Sequence, residues 1–183
     1  MAPFDPKSPS ESGITASQVV AVRDRMLRGD RVSWEEVSSW ARSGNADLMG
    51  AAFQALMSRT DIIDGVEGDR FIVTYLIFII EGRGGSAEIF QLPPYIAAHE
   101  IARVYKHWHE HASPPDDNLK YIRNELSRLY ASGDEKQRRR VVDGALEHIF
   151  EEASCRPDFE DWKDSPLLAG AIDEAMEWIR GRP

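Results

Sequence analysis

Phe71–Ile80 reads FIVTYLIFII, and how those ten residues are taken decides the fold. The run is rich in β-branched and aromatic residues and has almost no polar alternation. As a strand it would pair with SAEIFQL (86–92) across the EGRGG turn, giving a buried β-hairpin over 71–92. As a helix it would be capped by Asp69 and stopped by Gly82. The helix is the better reading, because the run is long for a strand and the segments around it carry helical signals. In either form it is the element expected to be most buried. It is too short to cross a bilayer, which needs about 20 apolar residues.

Working outward, helix starts and stops recur. Thr15 and Gln18 form a capping box for a helix that Gly29 ends, with Val19, Val22 and Met26 inward. Ser33 and Glu36 form a second box, for a helix carrying Trp34, Val37 and Ala41 that stops near Gly44. Asn45 caps a third, through Arg59, whose Leu48, Met49, Ala52, Phe53, Leu56 and Met57 repeat at helical spacing. Beyond the apolar run, a helix is predicted from Tyr95 to His111, ended by the Pro114–Pro115 pair. Another follows Asp116 and ends at Gly133, and a seventh runs from Glu135 to Ala153. The loop RPDFEDWKD (156–164) returns Phe159 and Trp162 to the core. Ser165–Pro166 then opens a last helix, with proline at its first position.

The pattern is mainly α: a single-domain, irregular array of about eight helices over 14–183, HEAT-like in its antiparallel pairing, behind a flexible tail at 1–13. A chain of 183 residues fits one domain with its own core. The tail has three prolines and no apolar centre, so it reads as neither a signal peptide nor a span. The single cysteine, Cys155, rules out an intrachain disulfide and suits a reducing compartment. A cytoplasmic location and no membrane association are expected.

The charge is uneven. The chain carries a formal net charge of -9. Met1–Arg59 holds seven acidic and seven basic residues, whereas Glu147–Pro183 holds ten acidic and four basic, a local net of -6. An acidic end repels nucleic-acid phosphates and attracts a basic protein. Arg138–Arg140 is the only basic run, too small for a nucleic-acid face. The candidate partner-binding residues are Asp158, Glu160, Asp161, Trp162, Asp164, Asp173, Glu174, Glu177 and Trp178. The plain alternative is a solvated acidic surface that keeps the chain in solution.

Catalytic signatures are thin. HWHEH places His107 and His111 four apart on one helical face, with His99 two turns back. Such a pair can share a zinc ion, which makes His107 and His111 the candidate metal ligands. There is no H-E-x-x-H and no third ligand at a fixed spacing. GRGGS (82–86) lacks the phosphate-loop lysine, and the spacing of His148 and Cys155 defines no nucleophile–base pair. No cofactor is expected.

Two stretches carry a resemblance. LRGDRVSWEEVSSWAR, with Gly29, Ser33, Glu35, Glu36, Trp40 and Ala41, resembles a helix-turn motif of small uncharacterised bacterial helical proteins. The closing ALEHIFEE and FEDWKDSPLLAGAIDEAMEWI resemble the end of similar proteins associated with polymorphic toxin–immunity loci. The likeness covers about a third of the chain and rests on caps, aromatic anchors and acidic faces. It implies an immunity-type inhibitor that neutralises a basic toxin, and assigns no active site. A metal-dependent hydrolase using His107 and His111, and a helical adaptor or regulatory subunit, are the alternatives. The sequence leaves the oligomeric state open.

Overall fold

A computed structural model describes residues 16–30, 32–58, 66–83, 90–111 and 116–181. Among them are nine α-helices, a π-helical segment and a 3-10 helix, with no strand. The helices are α1 (Ala16–Leu27), α2 (Trp34–Ala41), α3 (Ala46–Ser58), α4 (Val66–Ile80), α5 (Pro94–His111), α6 (Asp116–Ser132), α7 (Glu135–Arg139), α8 (Glu147–Phe150) and α9 (Pro166–Gly181). The π segment, Arg140–Leu146, joins α7 to α8, and the 3-10 helix, Ala153–Asp164, joins α8 to α9. The expected tail and the Thr15 cap lie outside the described residues.

The sequence shows no break, yet the chain divides into two compact units. The first is Met1–Ile79 with Arg83–Leu92, the second Ile80–Gly82 with Pro93–Pro183. The division falls at the end of the apolar run and again before the Pro93–Pro94 pair.

The first unit contains that run as far as Ile79. Phe71–Ile80 is helix, so the alternative hairpin over 71–92 is not formed. All ten residues are buried, as a helix apolar on every side must be. Helical pairing satisfies their backbone groups within the segment, and the one hydroxyl of an aliphatic chain bonds locally: Thr74 Oγ1 donates to the Arg70 carbonyl at 2.8 Å. Asp69 is not the cap, because α4 begins three residues earlier, at Val66. Tyr75 packs against Phe53 and Phe71, with ring centroids 5.0 and 6.3 Å away. Gly50, in the middle of α3, leaves room for Phe90: a Cβ there would stand 2.5 Å from the Phe90 carbonyl oxygen. Gln54 Nε2 donates to that same carbonyl, and Gln91 Nε2 to Asp47 Oδ1 at 3.1 Å.

Local signals set the ends of these helices. Ser33 and Glu36 make the capping box, and Asn45 Oδ1 accepts from the Asp47 and Leu48 amides at 3.1 Å. Gly29, Gly44 and Gly82 take φ of 71°, 68° and 78° just past helix ends, where a Cβ would be strained.

The second unit is built on α5. Its buried face, Ala97, Ala98, Ile101, Ala102, Val104 and Tyr105, packs chiefly on the π segment. Gly144 makes the approach close: a Cβ on it would lie 2.6 Å from the Ala98 Cβ. In the π segment the Glu147 amide reaches back to the Val142 carbonyl, widening the helix by one residue. Ile122, Leu126 and Leu129 of α6, Ile149 and Phe150 of α8, and Ala171 and Ala175 of α9 complete this core. Asp134 and Gln137 form a capping box that starts α7. Each arginine of the 138–140 run has an intramolecular partner: the Tyr130 carbonyl, Glu135 and the Ile80 carbonyl respectively.

The stretch expected as a loop is the 3-10 helix. At three residues per turn its side chains form three straight columns. Arg156, Phe159 and Trp162 share one; Phe159 and Trp162 are buried, ring centroids 5.1 Å apart. Pro157, Glu160 and Lys163 share the exposed column, with Lys163 paired to Glu160 at 2.8 Å. Cys155, Asp158, Asp161 and Asp164 share the third.

Candidate functional site

The predicted contact set divides according to these columns and the face of α9. Trp162 belongs to the core: it is 4% exposed and stacked edge-on against Phe159. It cannot reach a partner without breaking that packing, and the contact set is redrawn without it. Asp158 is half-buried and committed: Tyr105 Oη donates to its Oδ2 at 2.6 Å, and His109 Nδ1 stands 3.1 Å from the same oxygen. Burial, then the Asp158 hydrogen bond, pushes the Tyr105 hydroxyl far above the ordinary tyrosine range. Arg123 Nη1 reaches the Tyr105 hydroxyl at 3.5 Å, and Asp161 lies in the field of that guanidinium. Glu160 is held by Lys163.

Asp164, Asp173, Glu174, Glu177 and Trp178 are exposed. None of the four carboxylates forms an ion pair among the described residues. On α9, Ala171 and Ala175 point inward; Leu167, Gly170, Glu174 and Trp178 form an exposed row along one flank of that buried face, and Asp173 and Glu177 lie on the far side of the helix. Leu167 and Trp178, 44% and 52% exposed, share that row three turns apart, about 16 Å along the axis. A Cβ on Gly170 between them would meet nothing within 4 Å, so the stretch between the two apolar residues is open.

The histidines fall into three arrangements. His107 and His111 are exposed with ring centroids 4.3 Å apart, and His111 Nδ1 is bonded to the His107 carbonyl at 2.8 Å. His109 turns inward to Asp158. His99 meets His148 of α8, Nε2 to Nε2 at 3.2 Å. No group of three or more metal-ligating side chains is formed among the described residues. Spacing along one helix points to His107 and His111; the pairing of His99 with His148 spans 49 residues and is set by the α5 crossing, which no local pattern records.

Cys155 is buried, and burial first, then the Asp158 charge, raises its thiol to about 11. A protonated, enclosed thiol is a poor nucleophile. A shallow open depression on α2 is lined by Glu35, Ser38, Ser39 and Arg42. None of the described helices is long and apolar enough to cross a membrane.

The described residues thus form a mainly α structure whose last helix exposes Leu167 and Trp178 along one flank and carboxylates on its outer side. Comparison with protein-family models, curated proteins and solved structures finds no match.

Proposed function

We propose that this chain is a non-catalytic protein-binding domain that takes a basic protein on the exposed surface of α9, most concretely an immunity-type inhibitor that covers a basic toxin. One observation carries the reading. Trp178 and Leu167 stand exposed on one helical face with Glu174 between them, and Asp173 and Glu177 lie further round the same helix; no ion pair to these carboxylates forms among the described residues. An exposed aromatic residue with a carboxylate one turn before it suits a partner with an apolar socket beside basic side chains. The aromatic anchor supplies affinity when desolvated, and the carboxylates raise the association rate by attracting the opposite charge. Asp173 and Glu177, one turn apart, repel each other on the free helix by a few tenths of a kcal/mol, a cost that a lysine or arginine from the partner removes.

The test is capture from a lysate of the source cell at low and high salt, with the wild-type chain, Trp178→Ala, and the pair Glu174→Lys with Glu177→Lys. The reading expects one basic protein, released by about 0.5 M salt and lost with either variant. No capture, or capture that both variants retain, overturns it.

A further inference from the structure

We propose that His99 and His148 form a two-histidine site for a divalent first-row transition-metal ion, joining α5 to α8 and leaving the other coordination positions to water. The site differs from the His107–His111 pair and does not depend on the binding function proposed above.

Four observations carry it. The two Nε2 atoms face each other at 3.2 Å from different helices. A tetrahedral ion with bonds of about 2.0–2.1 Å holds two nitrogens about 3.3 Å apart, so the pair stands close to chelating distance before any ion enters. The helices cannot drift at this point, because Gly144, one turn before His148, is packed against Ala98, the residue before His99.

The rings are held as well. Tyr95 packs on His99 with centroids 4.7 Å apart, and its hydroxyl donates to the Asp143 carbonyl at 3.1 Å. His148 Nδ1 faces Glu151 Oε2 at 3.4 Å. A carboxylate on the far nitrogen of a ligating histidine fixes the tautomer and strengthens the ligand. It keeps the His148 proton on Nδ1 and leaves the Nε2 lone pair directed at His99.

Without metal, one proton must lie between the two Nε2 atoms, since two lone pairs at this distance repel. That proton is on His99 Nε2. When an ion binds, it takes both Nε2 lone pairs and the His99 proton moves to Nδ1 of the same ring, so a neutral pair binds without net proton release. Glu100 and Glu151 place negative charge near His99. Lys106 opposes them weakly, its Nζ 3.8 Å from Glu151 Oε2. Two imidazoles suit zinc, nickel or copper, with copper bound tightest by the usual order.

Zinc is the probe. The full chain, free of any histidine tag, is titrated with zinc by calorimetry, beside His99→Asn, His148→Asn, Glu151→Gln and the pair His107→Asn with His111→Asn. One zinc per chain is expected. Affinity should fall at least about tenfold in His99→Asn and in His148→Asn, fall about tenfold in Glu151→Gln, and hold in the His107/His111 variant. Absence of binding to the wild type overturns the site. So does unchanged binding in His99→Asn, or a loss confined to the His107/His111 variant. Should an asparagine variant unfold, the wild-type imidazole nitrogen resonances decide: coordination shifts those of His99 and His148, and shifts elsewhere alone overturn the site.

Discussion

Tyr105 donates its phenolic proton to Asp158 across 53 residues, at 2.6 Å, and so ties the 3-10 helix to α5. The phenol is buried and the carboxylate half-buried, so neither has water in full supply to replace the other. A hydrogen bond to a charged group contributes about 1.5–3 kcal/mol. Tyr105→Phe and Asp158→Asn should each lower unfolding stability by an amount in that range. The double variant should lose clearly less than the sum, because both changes remove the same bond. Denaturant titrations of the four proteins give the answer; strict additivity would mean that the two groups act apart.

Trp162 and Trp178 should separate stability from binding. Trp162→Ala empties a core site against Phe159 and should cost about 3–5 kcal/mol. Trp178→Ala removes a half-exposed ring and should shift stability by only about 0.5 kcal/mol. The second variant is the one expected to lose the partner. Thermal unfolding of both, read beside the capture experiment, checks the assignment.

Gly144→Ala places a methyl group 2.6 Å from the Ala98 Cβ, closer than two carbons can stand. The helices must part there, and stability should fall by about 1–3 kcal/mol. Ala98→Gly in the same chain removes the clashing atom and should recover part of that loss. If the second change only adds damage, the crossing is not what limits the site.

His99 makes stability depend on pH. Burial first, and then His148, lowers its pKa below the ordinary 6.5, while Glu100 and Glu151 oppose the shift. The unfolded chain therefore takes up this proton at higher pH than the folded one. The contribution is fully present above about pH 6.5, is lost as pH falls towards the depressed folded value, and then levels off. Unfolding measured with a chelator present should show stability falling between pH 7 and pH 5, with a shallower slope in His99→Asn. An identical slope in the two proteins would assign the effect elsewhere.

Short-range features were the ones legible in the sequence. The Ser33–Glu36 box, the Asn45 cap and the stops at Gly29 and Gly82 need only neighbouring residues, and they stand where the pattern puts them. Phe71–Ile80 was ambiguous because propensity favours a strand there, while length and context favour the helix that forms. The π segment left no mark in the pattern, since its extra residue is accommodated by packing against α5. Period-three columns in 156–164 were hidden for another reason: three aspartates and two aromatic residues read as a polar loop until a threefold screw aligns them. The same alignment turns Trp162 inward. His99 and His148 are brought together only by the tertiary fold.

Pro157 gives the 3-10 helix a fixed length. Twelve residues at about 2.0 Å each carry the chain about 24 Å, against about 18 Å if they rewound into an α-helix. Rewinding would drive the proline ring into the carbonyl four residues back, that of Ala153, and would gain no hydrogen bond at a residue with no N–H. The segment is thus a spacer that resists shortening, and the stand-off between the end of α8 and the start of α9 is written into one ring.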